Sequence, residues 1–342
     1  MSQKQKVILD IAFRRLDEVF HPDDLNHLHE IADVVWGRDE PMPEAEFEAA
    51  KGDAFAIVTG RWRHGDVAEM PKLRAILEMG GRHPSPAVLD YRACFARNIR
   101  VLSVSPAFGP MVAEAALAMA LAAARDVVSG SAAFQSGTEQ YQHRGNEGCF
   151  TLYDKTVGLI GCGSLARNLM PLLAPFRCKL LGYDPWLSDR YLARMGVQPT
   201  TLETLLEQAR VIFVLAIPSS ENRALLNRSL LERIQPGAVL ALMSRAHVVD
   251  FDALTELLYA GRFKAAIDVF PEEPVPADHP IRHAPGAVLA AHRAGTVRED
   301  MWELGRIAVN DLEALLAGLP PREMQPADPD IVFRHPGSRR RN

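Results

Sequence analysis

Short apolar runs alternate with helical stretches along most of this 342-residue chain. In the first third, Val7-Ile8-Leu9, Asp33-Val34-Val35-Trp36-Gly37, Ala54-Phe55-Ala56-Ile57-Val58, Leu73-Arg74-Ala75-Ile76-Leu77 and Arg100-Val101-Leu102-Ser103-Val104 each read as a strand. Pro22-Asp23-Asp24 opens a helix through Leu28 and Ile31, with a proline and acids in its first turn. A long helix is predicted from about Pro110 to Ser129. It is apolar on nearly all sides, which places it between domains or subunits. A looser polar stretch, Ser136 to Glu147, follows. From Thr156 the alternation restarts, with strands predicted over Thr156 to Ile160, Lys179 to Tyr183, Val211 to Ala216, Ala238 to Met243, Ala265 to Val269 and Val288 to Ala290. A last helix, about Thr296 to Leu316, stops at Gly318 and Pro320-Pro321. The Pro- and Arg-rich final stretch of about 20 residues lacks apolar periodicity and is predicted irregular.

Strands alternating with helices call for parallel sheets covered on both faces. The length suits two domains of roughly 150 residues each, and the two β/α halves read as two different sheets. The predicted fold class is therefore α/β, with two flavodoxin- or Rossmann-like domains built on doubly wound parallel sheets. Apolar residues make up 48% and charged residues 24%, enough to bury a sizeable core. A net charge of −5 and a pI near 6.1 give no electrostatic case for nucleic acid or an anionic membrane. The basic run Arg339-Arg340-Arg341 reads as a solvated tail. The longest apolar run, Ala115 to Ala124, falls short of the about 20 residues a bilayer needs. The start of the chain carries no signal-peptide pattern. Cys94, Cys149, Cys162 and Cys178 form no C-x-x-C pair, so reduced thiols and a cytoplasmic location are expected.

The run Lys155 to Ala166 reads as strand, tight turn and helix start, with Gly161-Cys162-Gly163-Ser164-Leu165-Ala166 as the turn. Gly161 permits the turn. Gly163 lets a pyrophosphate approach N–H groups at the positive end of a helix. Ala166 is small enough for helix–strand packing. Alone, G-x-G-x-x-A is a weak signal, because loops collect glycines for turns. Asp184 strengthens it, since it ends the next strand about 20 residues on, where an acid accepts ribose hydroxyls and repels a 2′-phosphate. NAD is therefore expected rather than NADP, with Arg190 nearby acting the other way. Asp184 also suits a plain Tyr-Asp-Pro turn.

The stretch Ile267-Asp268-Val269-Phe270-Pro271-Glu272-Glu273-Pro274-Val275-Pro276 resembles the D-V-F-x-x-E-P-x-P signature of the D-isomer-specific 2-hydroxyacid dehydrogenases, an NAD-dependent family. Arg97-Asn98-Ile99-Arg100-Val101 followed by Val112-Ala113-Glu114 resembles the family's pattern at its interdomain crossover. The resemblance covers about residues 50 to 320 and implies the interconversion of a 2-oxo acid and a D-2-hydroxy acid. It implies Arg245 as the substrate arginine, whose fork suits a carboxylate beside a carbonyl. It implies His292 as the acid/base, with Glu273 holding the imidazole's tautomer. Met243, Asp268, His292 and Gly295 are implied around the cofactor, beside Gly161, Gly163, Ser164, Leu165 and Asp184. Asp268 is implied near the nicotinamide carboxamide, a turn cap being its alternative role. Gly80 and Gly81 are implied as the turn whose amides hold the substrate carboxylate. The domains follow as 1–107 plus 296–342 for substrate and 108–295 for NAD, with the site in the cleft and a homodimer through the long apolar helix.

The chain departs from the family at Leu242, where asparagine is usual, and at Ala290-Ala291, where threonine and proline usually precede the histidine. The turn Met79-Gly80-Gly81-Arg82-His83 and the loop Thr59-Gly60-Arg61-Trp62-Arg63-His64 are also unusual. Trp62, Arg82 and His83 suit contact with a bulky or anionic substrate group, and equally local packing. No metal is expected, because the cofactor carries the hydride and His27 and His29 share no helix face. Cys162 is small enough to pack in its turn. A non-catalytic NAD(H)-sensing protein of the corepressor type is the alternative function. A formate-type enzyme is disfavoured by a Glu–His rather than a Gln–His pair.

Overall fold

A computed structural model describes residues 4–217 and 222–333; the Arg339–Arg341 run lies outside them. The chain divides into two compact units, one over Met1–Phe108 and Thr296–Asn342, the other over Gly109–Gly295.

In the first unit, β1 (Lys6–Asp10), β2 (Asp33–Trp36), β3 (Ala54–Thr59), β4 (Ala75–Glu78) and β5 (Arg100–Ser103) pair in parallel in the order β2-β1-β3-β4-β5. Burial on both faces explains why these strands are nearly continuous apolar runs: Val7, Ile8, Leu9, Ala56 and Ile57 are all 0% exposed.

The second unit holds β6 (Thr156–Ile160), β7 (Lys179–Tyr183), β8 (Gln198–Pro199), β9 (Val211–Val214), β10 (Val239–Leu242), β11 (Lys264–Ile267) and β12 (Ala287–Leu289). All are parallel, in the order β8-β7-β6-β9-β10-β11-β12. The order reverses between β6 and β9, and a doubly wound sheet binds its ligand outside the strand C-termini at such a point.

Three expectations are corrected. The helix expected over Pro110 to Ser129 is two helices, Gly109–Ala124 and Val127–Ser136. Asp126 breaks it with a left-handed φ of 50°, and its carboxylate takes the Lys264 ammonium at 2.7 Å and the Cys149 thiol at 3.4 Å. That distant ion pair leaves no trace in local periodicity. The first helix buries Ala113, Ala116 and Ala120 in its own unit's core, packed on the Ser164–Leu173 helix. With the preceding turn, Ser105–Ala124 is long and apolar enough to cross a membrane by length and composition, a test that a core helix also passes.

The second correction concerns the final segment, which is not irregular throughout. Residues Gln325–Pro326 form β13, antiparallel to β5, and Pro329–Val332 is a short helix. The first unit's sheet is thus mixed rather than wholly parallel. The third is the last long helix, which starts at Trp302 after a 3-10 turn over Arg298–Asp300.

Candidate active site

The second unit brings most of the expected residues to one edge of its sheet. Gly161 follows β6, Asp184 follows β7, Met243 to Arg245 follow β10, Asp268 follows β11 and His292 follows β12. In a parallel sheet all these C-terminal ends share one edge, so positions far apart in sequence gather there.

His292 and Glu273 form the tightest contact in this set. The imidazole Nδ1 donates to Glu273 Oε2 at 2.6 Å. The other carboxylate oxygen accepts the Phe270 N–H at 3.0 Å, which fixes the acid's orientation. Burial pushes the Glu273 carboxyl up, but the His292 hydrogen bond, the Phe270 N–H and the Arg245 charge together hold it below its ordinary value. It is therefore ionised at neutral pH. With Nδ1 engaged, Nε2 is the imidazole atom left for chemistry.

Asp268 anchors the histidine loop. It is 2% exposed, and it accepts the Arg293 N–H at 2.9 Å and the Ala294 N–H at 3.3 Å. The His292 N–H reaches the Asp268 carbonyl at 2.8 Å. Desolvation raises the Asp268 carboxyl against these hydrogen bonds. Of the two roles open to Asp268, capping is thus the one its contacts display. It holds His292 in a left-handed backbone conformation, φ 50°, that residues carrying a β-carbon rarely adopt.

Arg245 is exposed, and one Nη1 hydrogen goes to the Ser244 carbonyl at 2.7 Å. Its charge acts on Glu273, so it belongs to the same electrostatic group as the pair.

The phosphate turn has the shape its glycines require. Gly161 has φ 89°, and a Cβ there would lie 2.6 Å from the Ala216 backbone. At Gly163 a Cβ would meet nothing within 4 Å, so the start of the Ser164–Leu173 helix faces open space. Ser164 and Leu165 open that helix. Asp184 accepts the Cys162 N–H at 2.8 Å and the Trp186 N–H at 3.0 Å, tying the turn to the end of β7. A cavity of about 570 Å³ lies alongside, lined by Tyr183, Thr200, Leu202, Leu225 and Leu230 among others. Ser244 Oγ is buried with no hydrogen-bond partner. An open cradle, a helix N-terminus and an orphaned hydroxyl at one sheet edge fit a dinucleotide. Met243 is buried beside Ser244, and Gly295 closes the histidine loop. Burial pushes the Cys162 thiol up to about 12, so it packs as an un-ionised thiol.

Gly80 and Gly81 lie in the first unit, after β4. Gly80 donates its N–H to Glu78 Oε1 at 2.8 Å. Gly81 has φ 81°, and a Cβ there would strike the Phe108 ring at 2.5 Å. Trp62 is 7% exposed and donates to the Gly65 carbonyl, and His83 Nε2 pairs with the Gln325 carbonyl at 2.9 Å. Trp62 therefore packs locally and His83 is tied to the distant Gln325 segment, while the Arg82 side chain is exposed. Among the described residues no group of three or more His, Cys, Asp and Glu side chains is placed to hold a metal ion. Sequence reasoning passes over Ser244 and Glu78. For Glu78 the available signal is an acid ending an apolar strand two residues before a Gly-Gly turn.

The chain is similar to known proteins over most of its length. Residues 117–294 match the family model described as D-isomer specific 2-hydroxyacid dehydrogenase, NAD binding domain. The chain is 31% identical to a phosphoglycerate oxidoreductase from Rhizobium etli of known crystal structure, with a TM-score of 0.84 over 96% of this chain and 99% of that one. It is 27% identical over 306 residues to a D-3-phosphoglycerate dehydrogenase from Archaeoglobus fulgidus, covering 83% of this chain and 57% of that protein. It is 27% identical over 334 residues to a glyoxylate reductase from Aeropyrum pernix, covering 94% and 97%. The chain spans about half the length of the curated phosphoglycerate dehydrogenases it matches.

Proposed function

From its place in the D-isomer specific 2-hydroxyacid dehydrogenase family, to which this chain belongs, we propose that it interconverts a 2-oxo acid and a D-2-hydroxy acid with NAD as cofactor. The observation that carries the reading is the 2.6 Å Glu273–His292 contact at the sheet edge that also carries the phosphate turn. Gly161, Gly163, Ser164 and Leu165 would hold the pyrophosphate, Asp184 the adenosine ribose, and the cavity beside Tyr183 the adenine. Met243, Asp268, His292 and Gly295 would border the nicotinamide.

Bound NADH supplies the hydride. His292 keeps a proton at Nε2 and delivers it to the substrate carbonyl oxygen in reduction; in oxidation it takes the hydroxyl proton back. Glu273 stays ionised throughout and stabilises the charged imidazole. Arg245 pairs with the substrate carboxylate and with the negative charge that grows on the carbonyl oxygen. Gly80 and Gly81 are the turn we assign to the same carboxylate.

The test is steady-state NADH oxidation across glyoxylate, hydroxypyruvate and phosphohydroxypyruvate. Turnover of at least one acid is expected, faster with NADH than with NADPH because of Asp184. A chain that binds NADH yet turns over none of these acids would point to the non-catalytic sensing alternative.

We also propose a cytoplasmic homodimer. The Val127–Ser136 helix buries none of its residues, and Val127, Val128, Phe134 and Tyr141 are 56%, 53%, 65% and 69% exposed. So much apolar surface on one segment fits a subunit contact. Light scattering should return twice the 37.7 kDa of one chain, and Phe134→Asp should shift the equilibrium toward the monomer. Thiol titration of the same sample, denatured, should find all four cysteines reduced. A monomeric wild type would remove the dimer proposal.

A further inference from the structure

One buried carboxylate takes no part in the proposed hydride and proton transfer. Glu78 ends β4, is 4% exposed, and curls back under the Gly80–Gly81 turn. Its Oε1 accepts the Gly80 N–H at 2.8 Å and its Oε2 accepts the Arg82 N–H at 2.9 Å. Ser103, its register partner on β5, brings a hydroxyl to 3.5 Å. The fit is close, since a Cβ on Gly80 would lie 2.4 Å from Oε1. The charged and titratable groups that act on Glu78 or respond to it are Arg82 of the turn, Arg14 after β1 and Tyr91 beyond the turn.

A glycine turn binds a carboxylate by converging N–H groups on it. Here two of three consecutive amides already converge on a carboxylate that the chain itself supplies. The Gly81 N–H is the one that donates to no protein acceptor among the described residues. We propose that Glu78 is the positioning and specificity-determining residue of this turn, filling its inner anion seat so that Gly81 alone offers an amide to the substrate carboxylate. The inference rests on the proposed 2-oxo acid chemistry and on the assignment of this turn to the substrate.

Two carboxylates at one turn repel each other, so substrate binding weakens when Glu78 is charged. Burial pushes the Glu78 carboxyl up to about 7, against the hydrogen bonds from Arg82 and Gly80, the Arg82 charge and Ser103. Glu78 is therefore neutral below that pH and charged above it, and the penalty grows as pH rises through neutrality.

The experiment measures KM and kcat for glyoxylate, or whichever 2-oxo acid the wild type turns over, from about pH 6 to about pH 8.5 in the wild type and in Glu78→Gln. The wild-type KM should rise about tenfold across this range, the scale of one poorly screened charge–charge contact. Glu78→Gln should lose most of that rise and bind the acid about tenfold more tightly at the alkaline end. The kcat profile should keep its shape in both proteins. A merely structural role would not split KM from kcat in this way. Should Glu78→Gln fail to fold, the wild-type profile is decisive by itself: a KM flat across the range overturns the inference. So does a Glu78→Gln protein that keeps the wild-type slope. A wild type that turns over no 2-oxo acid at any pH overturns the proposed chemistry, and this inference with it.

Discussion

Replacing His292 with alanine should lower kcat for 2-oxo acid reduction by about 100- to 10,000-fold, the range that positioned acid–base groups supply. This corresponds to about 3–5 kcal/mol of transition-state stabilisation. The loss should fall on kcat more than on KM, because the proton moves in the transition state while ground-state binding leans on Arg245. Glu273 gives the expectation a second arm. Its carboxylate, held below its ordinary pKa and so charged at neutral pH, faces the imidazole at Nδ1 and fixes its orientation. Glu273→Gln removes that charge but keeps a hydrogen-bonding shape. Reduction should then lose the negative neighbour that supports proton delivery by the imidazole, with kcat at neutral pH down about tenfold or more. Steady-state rates across pH check both arms. A His292→Ala protein within a few-fold of wild-type kcat would remove His292 from the chemistry.

The parts of the site that can be read from the chain are those whose meaning is local. Gly161 must adopt positive φ, Gly163 must leave space and Asp184 must end a strand; each requirement lies within a short stretch of sequence. The strands of both sheets are legible because burial on both faces makes them continuous apolar runs. Features that depend on a partner far away in the sequence are not. Asp126 ends a helix through Lys264, 138 residues on. The two-residue strand β13 exists only because β5 lies open beside it, and the His83 imidazole meets its Gln325 carbonyl across 242 residues. Glu78 sits between these cases. Its position before two glycines is in plain view, but two N–H groups turning back onto one carboxylate become visible only in three dimensions. The departure at Leu242 has no structural explanation; those at Ala290 and Ala291 are explained in the same way. The histidine loop is held by Asp268 and by backbone bonds, which need no particular side chain at those positions.

The second large effect is expected at Arg245. Truncation to alanine should lower kcat/KM by about 1,000-fold, near 4 kcal/mol, because one guanidinium serves two charges at once. In the proposed reaction it pairs with the substrate carboxylate before reaction, and it meets the oxygen that gains negative charge as the carbonyl is reduced. The first contribution appears in KM and the second in kcat, so both parameters should worsen together. Arg245→Lys separates them. An ammonium keeps the charge but not the planar fork, and one N–H of that fork already anchors the side chain to the Ser244 carbonyl. The lysine variant should recover about a tenth of the wild-type kcat/KM at best, one charge-assisted hydrogen bond short. The loss also reaches the neighbouring acid. Removing the arginine removes one of the charges that hold the Glu273 carboxyl down, so its protonation should begin at higher pH in Arg245→Ala than in the wild type. That change narrows the acid side of the pH profile, a signature that simple loss of substrate contact cannot produce. An Arg245→Ala enzyme with raised KM, unchanged kcat and an unaltered pH profile would confine the residue to ground-state binding and take it out of the reacting group.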